Sequence, residues 1–181
     1  LPISTSWEGF YLQEADGTVW HTAKSGSTAT PFFLTTDAAE GTWDLWFPGQ
    51  SGCYYTNVNT TKKLWTALWM PTLNVSGIDG GITMEYKRDK NQWQGIFTAT
   101  GAGTINIQMN GTGKLYDNTS VSGADNSIDD TKAKDTPFAF NGSANELTFN
   151  TGTNVSAGNI TVNVPAAGEC TLIIDLNDPQ D

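Results

Sequence analysis

Positive charge is what this chain has least of. Nine Lys and Arg stand against nineteen Asp and Glu in 181 residues, a formal net charge of −10. Nucleic acid is bound by Lys and Arg that release its counterions, so this balance argues against a nucleic-acid partner. It equally disfavours anionic lipid surfaces and highly sulfated sugars. Histidine is nearly absent: His21 is the single one, in the strand-like context Val19-Trp20-His21-Thr22. Such a histidine is more often structural than a general base. Neither cysteine has a histidine near it in sequence, and no Gly-x-Ser-x-Gly elbow occurs. Glu40, Asp44, Glu85 and Asp89 are available as a carboxylate pair for glycoside hydrolysis, yet nothing singles any of them out. The expectation is a protein without turnover, cofactor or metal. The acidic stretch Asp125-Asn-Ser-Ile-Asp129-Asp130 lacks EF-hand spacing and its glycine, and reads as a solvated loop.

Long apolar runs are missing too. None approaches the roughly 20 residues that span a bilayer, so no membrane insertion of this segment is expected. No signal peptide stands at Leu1, and we expect a mature or excised fragment. Low charge, short strands and polar loops point to export. The two cysteines, Cys53 and Cys170, lie in similar surroundings, each five residues after a proline (Pro48, Pro165) in a stretch that continues as a strand. If those stretches are equivalent parts of two modules, their Cα atoms lie beyond the roughly 7 Å that a disulfide allows. Two buried free thiols are the expectation.

What is plentiful is Thr, Asn, Gly and aromatic side chains, while leucine is sparse. That balance favours strands and turns. No segment sustains apolar spacing at i, i+3, i+4, i+7, so almost no helix is expected. Candidate strands are Trp7–Gln13, Thr18–Ala23, Pro31–Thr36, Thr42–Phe47, Cys53–Thr60 and Lys63–Leu68. After Met70-Pro71 come Thr72–Val75, Ile82–Lys87, Gln92–Ala99, Thr104–Met109 and Lys114–Tyr116. Asp117–Lys134 reads as a long loop, and Phe138–Phe140, Leu147–Phe149, Asn159–Val164 and Cys170–Leu176 finish the set. Many short strands with regular turn signals indicate an all-β fold of sandwich or barrel type. Proline interrupts a ladder, so the boundary is expected at Met70, with one module over 1–69 and a second over 70–181.

The second half carries a family resemblance. The run Met84-Glu-Tyr-Lys-Arg-Asp-Lys-Asn-Gln-Trp-Gln-Gly-Ile-Phe97, then Gly103 with the strand Thr104–Met109, and the ending Gly152–Leu176 resemble the starch-utilisation-type outer-membrane glycan-binding lipoproteins, the SusE/SusF family. The likeness covers roughly residues 70–178, with a fainter echo over 40–60. It implies immunoglobulin-like β-sandwiches in tandem. It also implies non-catalytic binding of polysaccharide or oligosaccharide on the outer face of a bacterial outer membrane. A lipid anchor outside this segment and a surface glycan-uptake complex belong to the same implication.

Seven tryptophans supply the chemistry such a binder needs. A flat indole covers the C–H face of a sugar while amides and carboxylates bond its hydroxyl edge. Trp65 and Trp69, four apart, share a face and lie beside Lys63. Trp93 follows the hairpin Arg88-Asp89-Lys90-Asn91. These give the candidate ligand set Trp65, Trp69, Trp93, Lys63, Arg88, Asp89 and Asn91. Trp43 and Trp46 lie an odd number apart, so one points outward; Trp7 reads as core. The rival class is a structural surface subunit of fimbrial or adhesin type, which shares this texture and assembles by strand exchange.

Overall fold

Alternating apolar and polar side chains dominate the chain from Cys53 onward, and in the computed structural model they become sheet. The structure describes residues 11–24, 32–36, 42–43, 46–122 and 127–177. Among them there is no α-helix; two single-turn 3-10 helices, Arg88–Lys90 and Asp130–Lys132, are the helical content. The fold is predominantly β, as the composition led us to expect. Trp7, expected in the core, lies outside the described residues.

Two small ladders come first: β1 (Tyr11–Gln13) pairs with β2 (Val19–His21), and β3 (Ala23–Lys24) with β4 (Thr42–Trp43). The main sheet has ten strands. They are β5 (Cys53–Asn59), β6 (Leu64–Met70), β7 (Leu73–Ser76), β8 (Ile82–Lys87), β9 (Gln92–Ala99) and β10 (Gly103–Asp117). After the short pair β11 (Val121–Ser122) and β12 (Ser127–Ile128) come β13 (Lys134–Ser143), β14 (Glu146–Thr151), β15 (Ile160–Val164) and β16 (Gly168–Asp175).

Strand β10 organises the sheet by using each edge twice. One edge pairs with β6 (Lys114↔Trp69 through Asp117↔Thr66) and then with β7 (Gln108↔Ser76 through Asn110↔Asn74). The other pairs with β13 and then β15. Pro71, with no N–H to donate, falls in the step between β6 and β7. The ladder passes this step without leaving β10, so β6 is hydrogen-bonded to the same strand as β7, and β5 joins the sheet through β6.

The sheet curls. Tyr55 on β5 and Phe149 on β14 are separated in the ladder by β6, β10 and β13, yet their ring centroids lie 4.3 Å apart. A flat sheet holds neighbouring strands about 4.8 Å apart and cannot bring such strands together. The result is a half-barrel. The finer expectation, a tandem pair of immunoglobulin-like sandwiches, is not what this geometry singles out.

Two expectations change in detail. Thr104–Met109 and Lys114–Tyr116 were expected as separate strands, but β10 runs through both. Gly111 and Gly113 do not break it; they let neighbours in. A Cβ on Gly111 would stand 2.4 Å from the Phe138 ring, and one on Gly113 would stand 2.2 Å from the Trp69 carbonyl oxygen. The expected loop over 117–134 holds β11, β12 and a 3-10 turn, because Asp117 and Asp129 cap turns within it. Asp117 Oδ1 accepts from Thr119 N at 2.8 Å, and Asp129 Oδ1 from Thr131 N at 3.0 Å.

Strand β6, Leu64-Trp-Thr-Ala-Leu-Trp-Met70, divides two cores. Leu68 and Met70 face the larger one with Trp93, Met109, Phe138 and Ile174. Trp65 and Ala67 face the other with Phe32, Leu34, Phe47, Tyr54 and Tyr116. Burial on both faces explains why β6 reads as a continuous apolar run rather than an alternation.

Candidate functional site

The mouth of the half-barrel is an aromatic cleft. Tyr54 and Tyr55 follow one another on β5, so they point to opposite faces. Tyr54 is buried in the smaller core, whereas Tyr55 remains 39% exposed. Its ring lies against Phe149, tilted at 36°, and Phe149 in turn stacks 5.9 Å from Phe138. A cavity of about 310 Å³ opens here, lined by Tyr55, Thr56, Asn91, Phe140, Phe149 and Leu176 among others. Phe140, Phe149 and Leu176 also line a neighbouring cavity of about 650 Å³, walled by the start of β14 and the end of β16.

The polar rim is held in place by the C-terminal end of β16. Asn177 Nδ2 donates to Asp175 Oδ1 at 2.7 Å and to the Lys90 carbonyl at 3.0 Å. Asn91 Nδ2 donates to Asn177 Oδ1 at 3.3 Å, and Asn91 Oδ1 accepts from the Tyr86 hydroxyl at 2.7 Å. Asn91 sits in the left-handed region at φ 50°, a conformation asparagine tolerates. Bonds from the Asn177 N–H and from Gln92 hold the Asp175 carboxyl below its ordinary range. An ionised, ordered carboxylate beside side-chain amides and an aromatic floor can accept hydroxyl protons and cover a flat apolar face.

Of the seven candidates named from sequence, Asn91 lines this cleft. Trp65 and Trp93 are each 1% exposed, which corrects the expectation that they present an open stacking surface. Trp65 and Trp69 do share a face of β6, but that face turns to the smaller core. Trp65 Nε1 donates to the buried Phe32 carbonyl at 3.0 Å; half-buried Trp69 donates to the Ser51 carbonyl at 2.8 Å. Trp93 packs 5.3 Å from Tyr86 in the larger core. Lys63 is exposed at the β5–β6 turn, at φ 58°, where its carbonyl accepts from Leu34 N. Arg88 and Asp89 are exposed on the 3-10 turn between β8 and β9. The seven therefore fall in two separate stretches of chain, Lys63 to Trp69 at β6 and the turn before it, and Arg88 to Trp93 at the 3-10 turn and the start of β9. Trp46 is 37% exposed, as the odd spacing allowed; the Trp43 side chain lies outside the described residues.

The two cysteines differ. Both are free, but Cys53 is buried and Cys170 only half-buried, so they are not equivalent positions. Burial pushes the Cys53 thiol up to about 11, opposed by the Trp93 indole N–H on its side. That N–H makes no hydrogen bond within normal geometry, and the contact is weak. Tyr55 and Phe149 were missed because nothing local distinguishes an aromatic at the open mouth of the sheet from one deep in its core. The Tyr54-Tyr55 doublet was the available signal, since alternation obliges one of the two to face away from its neighbour's core.

Among the described residues no group of three or more His, Cys, Asp and Glu is placed to hold a metal ion. None of their helices is long and apolar enough to cross a membrane. No curated protein and no solved structure matches the chain. Two family models do: a domain of unknown function, DUF5111, over residues 2–70, and a domain of unknown function, DUF5114, over residues 74–181. The second covers more than half of the chain, which therefore belongs to the DUF5114 family.

Proposed function

We propose that this chain binds neutral polysaccharide without turning it over, on the outer face of a bacterial outer membrane, as its resemblance to the SusE/SusF lipoproteins implies. In this reading it is tethered through a lipidated segment outside the sequence and works within a surface glycan-uptake complex. Residues 1–69 and 70–181 are then two modules joined through β10. The observation that carries the binding reading is the exposed Tyr55 ring against Phe149 at the mouth of a cleft that holds the Asn91 amide and adjoins the cavity lined by Asp175 and Asn177. A preformed aromatic platform loses little conformational entropy on binding, and the acidic rim selects against uronates and sulfates.

Affinity electrophoresis through a panel of neutral polysaccharide gels tests this reading. The chain should be retarded by at least one of them. Tyr55→Ala should weaken retardation roughly thirtyfold, the usual cost of about 2 kcal/mol for a central aromatic anchor. Its melting point should fall by only a few degrees, because Tyr55 is an exposed ring. No retardation in any gel, or a Tyr55→Ala variant that folds and binds unchanged, would count against the proposal. Concentration-dependent polymers on size exclusion, without retardation, would favour the structural-subunit class instead.

A further inference from the structure

Seven strands form the continuous path β14-β13-β10-β7-β8-β9-β16, and every neighbouring pair in it is antiparallel. Six successive antiparallel pairings leave its two end strands, β14 and β16, running in the same direction. They cannot close on one another in the antiparallel pattern of the rest, whereas one strand antiparallel to both would continue it. Among the described residues β14 pairs only with β13 and β16 only with β9. Each therefore offers an unused row of N–H and C=O groups.

The larger cavity lies where the start of β14 comes near the end of β16. Glu146, Leu147 and Phe149 line it from one side, Ile173, Ile174 and Asp175 from the other. Inward positions are apolar and the rim is acidic, with Glu146 and Asp175 exposed. Ile173 is 51% exposed on the outer face of β16. Proteins usually blunt a free edge with Lys, Pro or a bulge. Neither Glu146–Thr151 nor Gly168–Asp175 contains lysine, arginine or proline.

We propose that this seam accepts a β-strand from another polypeptide chain, antiparallel to both edges. Its alternate residues are apolar, facing Phe140, Phe149 and Ile174, and its outward residues are Lys or Arg, facing Glu146 and Asp175. Main-chain bonds to both edges give the affinity, and the alternation gives the register. Charge selects the partner: a second copy of a chain at −10 would bring like charge to an acidic rim, and a basic segment would not.

Hydrogen–deuterium exchange with a synthetic probe tests the seam. The probe is an acetylated and amidated octapeptide alternating valine with lysine. Its control carries N-methyl groups on alternate amides, which removes ladder donors and keeps every side chain. At millimolar peptide we expect exchange to slow at least tenfold in both β14 and β16, with little change in β5. The N-methylated peptide should give no protection, and Glu146→Lys should weaken the effect several-fold while leaving the melting point unchanged. Absent protection, protection of one edge alone, or equal protection by the methylated peptide would each overturn the proposal. So would protection that rises with protein concentration in the absence of peptide, which would make a second copy the occupant. Protection of these amides by a neutral polysaccharide instead of the peptide would overturn it while leaving the glycan reading intact.

Discussion

Burial ranks the tryptophans by what their loss would cost. Trp65 and Trp93 are both core residues at 1% exposure, so either Trp→Ala change should remove about 3–5 kcal/mol of stability, read by urea denaturation. Trp→Phe separates them. Trp65 Nε1 satisfies the buried Phe32 carbonyl, and phenylalanine would leave that oxygen unpaired at about 1–3 kcal/mol. Trp93 Nε1 has no hydrogen-bond partner, so Trp93→Phe loses packing but no such bond and should cost less than Trp65→Phe. Equal losses would mean that the Cys53 thiol is a real acceptor for Trp93. The cysteines give a second residue-scale expectation. Under native conditions an alkylating reagent should label Cys170, half-buried, and spare Cys53, whose thiol is both inaccessible and held protonated. Peptide mass spectrometry after a short native pulse reads the two sites separately, and equal labelling would contradict the buried placement of Cys53.

Among the elements, β10 depends most on what its glycines leave out. At Gly113 an added methyl meets the backbone oxygen of Trp69 on the neighbouring β6, which cannot move without parting the ladder. Gly113→Ala should therefore cost about 1–3 kcal/mol, as overpacking does. Gly101→Ala, in the turn before β10 with nothing within 4 Å, should stay within about 0.5 kcal/mol of the parent. Chemical denaturation of the pair checks both, and a neutral Gly113→Ala would mean that β6 and β10 are less closely paired than described. Here the sequence was misleading for a physical reason. Glycine marks both a turn and a close approach, and only the identity of the neighbouring strand distinguishes them.

For the whole molecule, titration should limit stability at both ends of the pH scale. Asp117 is pushed up by burial but held below its ordinary value by bonds from Thr119 and by Lys134. Thr131 lowers Asp129, and the Asn177 N–H lowers Asp175. A depressed carboxyl contributes stability above its unfolded pKa of about 4 and loses it as pH falls further. At the other end, burial raises Cys53 from 9.0 to about 11 and Tyr86 from 10.0 to about 12. Tyr54 and Tyr116 are raised as well, chiefly by burial. Groups that hold their protons more tightly when folded stabilise below the unfolded pKa, and that contribution is lost as pH climbs. Melting temperature should be flat from about pH 5 to 8, fall below pH 4 and fall again from pH 9 to 12. Cys53→Ala should flatten the 9–11 portion specifically; if it does not, the thiol is not a main source of the alkaline loss.

Composition and alternation determined the fold class, because strand propensity and turn chemistry are local properties that each segment carries wherever it packs. They also located most strands after Cys53, and placed Trp65 and Trp69 on one face of β6. Tertiary structure decided everything that depends on which face meets which. It turned that shared face inward and buried Trp93. It carried the ladder past Pro71 by laying β6 and β7 along one edge of β10. It also assembled the cleft from Tyr55, Asn91, Phe149 and Asn177, residues spread over more than a hundred positions. Period two tells a strand that its sides differ. Only the curl of the sheet tells it which side is closed.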